Sequence, residues 1–398
     1  MASFTARFLG CKVSFADMQA VRERLLADGH EEVEEAGDLA VINTCCVTRE
    51  AVAKSRQAAS RAARSYRRVV VTGCAANLPG DPFAGLPENV VRLPGPAETV
   101  AERVAGDVGA IGCVQADQRL DRVRAFVRIQ DGCSFSCAFC VIPLVRGATR
   151  SRSRASVLAE VRRRVGQGHR EIVLTGVNLG CFRDREARVT LAGLVREAGA
   201  IEGVGRLRLS SIEVNHLTPE LVAALRDTPA ASRHLHVPLQ SGDDRVLAAM
   251  GRRYTVASYL RRVEGLEDFN LTSDVIVGFP DETDAAFART LRAVRQARLT
   301  KLHVFPYSPR HGTATAGYDP VPAAVKQERS ARLRAVSDAA SRAYWQARVG
   351  SEDVVLVDRP GRGYAADYTP WLLDAPVGDL VSARAVGVGP EGVLAVAA

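Results

Sequence analysis

Three cysteines fall within eight residues, in Gly132-Cys133-Ser-Phe-Ser-Cys137-Ala-Phe-Cys140. Thiolates this close can wrap one metal centre from a single loop. They cannot close a tetrahedral or cubane site alone, because such sites take four protein ligands. No histidine is near; the closest in sequence is His169. An incomplete ligand set suits a catalytic metal, whereas a structural zinc would want two close cysteine pairs. Three more cysteines are widely spaced upstream. Cys11 lies in Phe8-Leu-Gly-Cys11-Lys-Val, Cys45 in Val41-Ile-Asn-Thr-Cys45-Cys46-Val-Thr48, and Cys74 in Val69-Val-Val-Thr-Gly-Cys74.

Each upstream cysteine follows a short apolar run that reads as a buried strand: Ser3 to Phe8, Leu39 to Ile42 and Val69 to Thr72. Helical patterns lie between, from about Phe15 to Asp28 and from about Glu50 to Tyr66. Alternating strand and helix predicts a parallel α/β sheet, whose ligands collect at the carboxyl ends of the strands. Cys11, Cys45 and Cys74 would then converge on one edge. The competing reading is three packed core thiols. Cys46 should point away from Cys45 if the chain is still extended there.

The middle of the chain reads as repeated βα units. Strands are expected at Ala125 to Ile129, Glu171 to Thr175, Gly205 to Ser210, His234 to Val237, Leu271 to Val277 and Leu302 to Phe305. This pattern predicts an open six-strand relative of the (β/α) barrel, with its site on the βα loops. The Cys133 loop follows the first of these strands. Polar and glycine residues follow the others: Gly176 and Asn178, Ser211 and Glu213, His236 and Gln240, Gly278, and Tyr307 and Arg310. A charged connecting helix is expected from Val321 to Arg348. Beyond Gly350, short β runs broken by Gly and Pro predict a small barrel.

The spacing C-x3-C-x2-C, with Phe139 before the last cysteine, resembles the signature of the radical S-adenosylmethionine (radical SAM) enzymes. Gly10 to Lys12, Asn43 to Thr48 and Thr72 to Cys74 resemble the amino-terminal motifs of the methylthiotransferase branch, across essentially the whole chain. Ser14 departs from the asparagine usual there. The tail resembles the TRAM domain, in Val-Leu-Val, Gly-Arg-Gly-Tyr and Pro-Val-Gly-Asp-Leu-Val. The resemblance implies a doubly wound α/β domain over residues 1–117, a radical SAM partial barrel with its connecting helix over 118–348, and a TRAM barrel over 349–398.

It further implies two [4Fe-4S] clusters, one on Cys133, Cys137 and Cys140 and one on Cys11, Cys45 and Cys74, the second carrying the sulfur to be transferred. S-adenosylmethionine (SAM) would bind the first, in a pocket that includes Phe139, Gly176, Asn178, Ser211, Glu213, His236, Gln240 and Gly278. His236 reads equally as a hydrogen-bonded core histidine. The wording of Val127 to Cys133, Val141 to Gly147, Glu171 to Asn178, Leu209 to Glu213 and His303 to Arg310 looks like the subfamily that acts on threonylcarbamoyladenosine in tRNA. That implies the anticodon stem-loop as partner, a flavodoxin or ferredoxin as electron donor, and a sulfur donor that the sequence leaves unspecified. Sister enzymes modify isopentenyladenosine in tRNA or an aspartate of a ribosomal protein. A non-catalytic iron–sulfur protein that binds RNA is the reading from another class. Cys46, Cys113 and Cys181 match no motif.

Composition is that of an ordinary globular chain, 47% apolar and 25% charged over 398 residues. No apolar run reaches the roughly 20 residues of a membrane span, and no signal peptide is expected. A reducing cytoplasm is therefore expected. The net charge of +8 permits a polyanionic partner. It is uneven: the last fifty residues hold seven acids against three bases. Basic residues gather at Lys54, Arg56, Arg61, Arg64, Arg67 and Arg68, read as one helix face opposite Val52, Ala59, Ala63 and Tyr66. They gather again at Arg146, Arg150, Arg152, Arg154, Arg162, Arg163 and Arg164, a run placed for an anionic substrate.

Overall fold

A computed structural model describes residues 2–108 and 123–398. Cys113 and the expected domain boundary at 117–118 lie outside the described residues. The described chain divides into two compact units. One gathers residues 2–108, Asp131–Thr149 and Arg310–Ala316; the other holds 123–130, Arg150–Pro309 and Gly317–Ala398.

The first unit contains β1 (Ser3–Phe8), α1 (Lys12–Ala27), β2 (Glu31–Glu32), β3 (Gly37–Thr44), α2 (Arg49–Ala62), β4 (Tyr66–Gly73), β5 (Val90–Arg92) and α3 (Ala97–Val108). Its strands form a parallel sheet in the order β2-β1-β3-β4-β5. Successive side chains of a strand face opposite sides. Leu39, Val41 and Val70 therefore pack with Met18, Val21 and Leu25 of α1 and Val100 and Val104 of α3. Their neighbours Ala40, Ile42, Val69 and Val71 pack on the other face with Ala59 and Ala62 of α2. Layers on both faces make the sheet doubly wound, as the alternation of apolar runs predicts. Helix α2 stops at Ala62, and Tyr66 opens β4, so the basic run is split between two elements. Arg61 and Arg64 are exposed beside the helix end, and Arg67 is exposed on β4 while Arg68 is half-buried.

The chain continues through β6 (Arg124–Asp131), whose end enters the first unit, and then α4 (Ile142–Arg146). The second unit runs on through β7 (Arg150–Ser151), α5 (Arg154–Gly166), β8 (Glu171–Gly176), the short hairpin β9 (Arg183–Asp184) and β10 (Val189–Thr190), α6 (Leu191–Gly199), β11 (Arg206–Leu209), α7 (Pro219–Asp227) and β12 (His234–His236). It continues with α8 (Asp244–Ala249), α9 (Val256–Val263), β13 (Asn270–Val277), α10 (Asp284–Gln296), β14 (Lys301–Pro306) and α11 (Ala323–Arg348). All six expected strands are present. They pair as β7-β6-β8-β11 and β12-β13-β14, and the two sheets meet at β11 and β12. There Leu207 bridges Ala231, and the Ile212 amide donates to the His236 carbonyl at 2.9 Å. Ile129, Ile172, Leu174, Leu207, Val275 and Val277 fill the core beneath the helices.

The tail forms β15 (Glu352–Arg359), β16 (Arg362–Tyr364), β17 (Pro370–Leu372), β18 (Leu380–Gly389) and β19 (Gly392–Ala397), closed in the order β15-β16-β17-β19-β18 around Trp371, Val355 and Val393. Strand β16 falls on the Gly-Arg-Gly-Tyr motif. This barrel docks at the amino-terminal ends of β6, β8 and β11. Glu171, fully buried, accepts from Arg208 Nε at 3.1 Å and Arg206 Nη1 at 3.2 Å and pairs with the Arg124 guanidinium at 3.1 Å. Arg206 also donates to the carbonyls of Tyr364 and Val354, and Arg124 reaches Asp358 at 3.3 Å. The Arg124 and Arg208 guanidiniums lie over the rings of Tyr364 and Tyr368. Burial pushes the Glu171 carboxyl up, but the three guanidiniums outweigh it and bring it to about 2.

Candidate cluster and cofactor site

Strands β1, β3 and β4 are neighbours and parallel, so their carboxyl ends share one edge. Cys11 caps α1 after β1, Cys45 follows β3, and the Cys74 amide donates to the Thr44 carbonyl at 3.0 Å just past β4. Gly10, at φ +145°, brings the Cys11 turn against Cys45: a Cβ there would lie 3.2 Å from the Cys45 Cβ. Burial, with the sulfurs of Cys74 and Cys11 close by, pushes the Cys45 thiol up to about 11. The three upstream cysteines are thus brought together, Cys11 exposed and the other two buried. Ser14 Oγ stands 3.7 Å from Cys11 Sγ.

Cys46 is a packed thiol. Strand β3 ends at Thr44, so side-chain alternation has lapsed by then. Cys46 packs in the α2 core, and its thiol is hydrogen-bonded to Cys74. The neighbouring Cys46 thiol lowers the Cys74 thiol below its ordinary value against the effect of burial, and the nearby Arg146 guanidinium acts in the same direction.

The second cysteine loop leaves β6 through Gly132. Its φ of +68° and the Ala148 carbonyl oxygen, 2.1 Å from any added Cβ, leave room for glycine alone. The Cys133 amide donates to the Gly147 carbonyl at 3.0 Å, and Ser134 and Thr149 exchange side-chain and backbone bonds at 3.1 Å. Thr315 Oγ1 donates to the Ala138 carbonyl at 2.9 Å. The backbone is therefore pinned on both sides, while Cys133, Cys137 and Cys140, with Phe139, are half-buried. The Phe135 amide points at Cys133 Sγ from 3.5 Å. Two sets of three soft thiol donors, each on a rigid turn, fit the ligand chemistry of iron–sulfur clusters.

The arginine run beyond this loop is partly neutralised within its own units. Arg146 is buried against Asp17 and Asp131, Arg152 pairs with Glu160, Arg154 with Glu197, and the buried Arg164 with Glu160. Arg146 is thereby withdrawn from the cationic face expected of the run, whereas Arg150, Arg162 and Arg163 stay exposed, and Glu160 is shared by Arg152, Arg163 and Arg164.

In the second unit, Gly176, Ser211, His236 and Gly278 lie at or just past the ends of β8, β11, β12 and β13. Gln130 Oε1 accepts from the Asn178 amide at 2.7 Å, and a Cβ on Gly176 would meet it at 2.9 Å. Glu213 accepts from the Asn215 amide at 2.9 Å and pairs with Arg252 at 3.4 Å. His236 has Nδ1 hydrogen-bonded to Thr272 Oγ1 at 2.9 Å and Nε2 facing Asp274 Oδ1 at 3.1 Å, with the His303 ring 5.5 Å away, so both ring nitrogens have polar neighbours. Gln240 takes φ +64° as its amide donates to the Asp274 carbonyl at 2.9 Å. Gly278 takes φ +69°, its amide donates to Glu282 at 2.6 Å, and an added Cβ would sit 2.4 Å from Lys326 Cγ. Sequence reasoning missed Gln130, Asp274, His303 and Lys326. Gln130 carried a signal, two strand positions before Gly132. Cys181 lies with its sulfur 3.5 Å from His216 Nε2.

A profile of the radical SAM superfamily matches residues 127–294, and one described as an uncharacterized protein family, UPF0004, matches residues 3–93. The chain is 36% identical to the threonylcarbamoyladenosine tRNA methylthiotransferase MtaB of Bacillus subtilis, over 86% of this chain and 82% of that protein. The chain belongs to the radical SAM methylthiotransferases. It is 32% identical to the tRNA-2-methylthio-N(6)-dimethylallyladenosine synthase of Sphingopyxis alaskensis, over 98% of this chain and 96% of that one. It is 34% identical to the synthase of that name from Cereibacter sphaeroides, over 96% and 95%. Among solved structures, the radical SAM methyltransferase TsrM of Kitasatospora setae superposes with a TM-score of 0.56 at 16% identity, over 79% of this chain and 77% of that one. That likeness concerns the fold. A methylthiotransferase of this family is a transferase of sulfur-containing groups that works with an iron–sulfur cluster and SAM. Among the described residues, no helix is long and apolar enough to cross a membrane.

Proposed function

We propose that this methylthiotransferase adds a methylthio group at ring carbon 2 of threonylcarbamoyladenosine beside the tRNA anticodon, with two [4Fe-4S] clusters and two SAM molecules per turnover. The observation that carries the two-cluster reading is the convergence of Cys11, Cys45 and Cys74 at the ends of three adjacent parallel strands, apart in sequence from the Cys133 loop. When bound, the clusters and SAM supply one-electron cleavage of SAM and the sulfur for transfer. Cys133, Cys137 and Cys140 hold one cluster on a loop that its backbone bonds keep from rearranging. Cys11, Cys45 and Cys74 hold the other, with two of the three thiols shielded from water. Phe139, Gly176, Asn178, Ser211, Glu213, His236, Gln240 and Gly278 border SAM. Glycine at 176 and 278 keeps a side chain out of tight places, and the contacts with Thr272 and Asp274 fix the His236 ring.

Threonylcarbamoyladenosine as substrate is favoured by the motif wording and by the 36% identity to the Bacillus subtilis enzyme. Exposed Arg61, Arg64 and Arg67 offer phosphate contacts, and an anticodon loop presents splayed bases that single-strand readers use. A second reading, dimethylallyladenosine as substrate, is favoured by the synthases at 32% and 34% identity that match nearly the whole chain. Mass spectrometry of tRNA nucleosides from cells with and without the gene separates the two. The gene's loss should remove 2-methylthio-threonylcarbamoyladenosine. Loss of the 2-methylthio form of dimethylallyladenosine instead would move the assignment to the sister activity.

A further inference from the structure

We propose that Arg146 is a positioning residue that ties the two cysteine sets together and raises the reduction potential of the amino-terminal cluster through Cys74. The inference rests on the reading that Cys11, Cys45 and Cys74 hold a [4Fe-4S] cluster.

Arg146 ends α4, six residues past Cys140. Its guanidinium bonds partners on three segments. Nε donates to Cys74 Sγ at 3.1 Å, Nη1 to Asp131 Oδ1 at 3.0 Å and Nη2 to Asp17 Oδ2 at 2.7 Å. The three side chains involved in the ion pairs are all at least nine-tenths buried. Asp17 lies on α1, which Cys11 caps, and Asp131 stands two residues before Cys133, with its Oδ1 also accepting from the Gly132 amide at 2.8 Å. One planar cation thus bonds the sulfur of one cysteine set and a carboxylate from the segment of each. Val141 and Val145 anchor α4 in the same apolar cluster as Cys46 and Cys74, and Asn77 Nδ2 donates to the Val145 carbonyl at 2.8 Å. Only arginine has three donors in a fixed fork for this arrangement; lysine would bring a point charge.

A cationic N–H donor at a ligating sulfur stabilises the more electron-rich state of the cluster, and hydrogen bonds to sulfur and local charge both set cluster potentials. The two carboxylates oppose this. They accept from Nη1 and Nη2, however, whereas Nε meets the sulfur. Replacing Arg146 by a neutral residue removes the donor and leaves both carboxylates, so both changes lower the potential.

The test uses the full chain with Cys133→Ala, Cys137→Ala and Cys140→Ala, reconstituted anaerobically with iron and sulfide, so that only the amino-terminal cluster is observed. Iron and labile sulfide are quantified, and the midpoint potential is taken by titration followed by electron paramagnetic resonance. Arg146→Gln should lower the midpoint, Arg146→Lys should lower it less, and Asp17→Asn with Arg146 intact should raise it. A midpoint unchanged in Arg146→Gln at full iron content overturns the proposal. So does loss of iron in Arg146→Gln and Arg146→Lys alike, which would make the residue a folding element only. Absence of iron in the background chain with Arg146 intact overturns instead the assignment of Cys11, Cys45 and Cys74 to a cluster.

Discussion

Replacing Glu171 with glutamine should detach the carboxyl-terminal barrel energetically from the half-barrel that carries it. Glu171 is the single fully buried carboxylate among Arg124, Arg206 and Arg208, two of which are buried to within a few percent. Glutamine keeps the volume and removes the charge. Arg124 would then keep its pair with Asp358, and Arg206 the charge of nearby Asp353. Breaking a buried pair by removing one partner costs about 3–5 kcal/mol, because the remaining charge is uncompensated. The depressed carboxyl gives a second route to the magnitude. A folded value of about 2 against about 4.3 unfolded corresponds to roughly 3 kcal/mol.

The sign follows from the depression. The stabilisation is fully present above about pH 4.3 and is lost as the pH falls towards about 2. The chain contains two tryptophans. Trp371 is the centre of the barrel core and Trp345 packs against it from α11, so tryptophan fluorescence reads this junction directly. In anaerobic urea titrations at pH 7, the fluorescence midpoint should fall by roughly 1.5–2.5 M, taking a slope of about 2 kcal/mol/M. The gap between wild type and Glu171→Gln should narrow between pH 5 and pH 3. A midpoint within about 0.3 M of wild type at unchanged slope, or a gap independent of pH, would refute the account of the junction.

Replacing Cys133, Cys137 and Cys140 together with alanine should leave about half the iron of the reconstituted protein; zinc in its place, or no iron, would contradict two separate clusters. Replacing Cys11, Cys45 and Cys74 should abolish methylthiolation yet leave measurable 5′-deoxyadenosine from SAM, and normal product from this variant would remove them from the sulfur site. Gly132→Ala should cost at least the 1–3 kcal/mol of a forced backbone conformation, since the Cβ would meet the Ala148 carbonyl; the readout is iron bound per chain, and native occupancy would speak against a rigid loop. Neutralising Arg61, Arg64 and Arg67 should weaken tRNA binding and reduce the log–log salt slope by about 2 if each meets a phosphate. An unchanged slope would place the RNA elsewhere.

What the sequence determined by itself was local and periodic. The eight-residue spacing of Cys133, Cys137 and Cys140 depends on one loop, and the apolar runs before Cys45 and Cys74 are strands buried on both faces. Such runs are legible because burial on two faces leaves no room for polar alternation. Their common edge followed once the sheet was parallel, since parallel strands end together. Tertiary structure decided everything that depends on a distant partner. Arg146 looked like part of a cationic substrate patch, but it is buried between Asp17 and Asp131 with Cys74, seventy-two residues away, on its Nε. Tyr66 continued the helical pattern of α2, yet it opens β4, because its ring is needed in the core beneath that helix. Cys46 turned toward Cys74 because β3 ends two residues earlier. Sequence displays the sign of a charge and the period of a segment. Which carboxylate neutralises that charge, and where a period is interrupted, is settled by burial: a buried charge or polar group must find its partner among whatever the fold brings near.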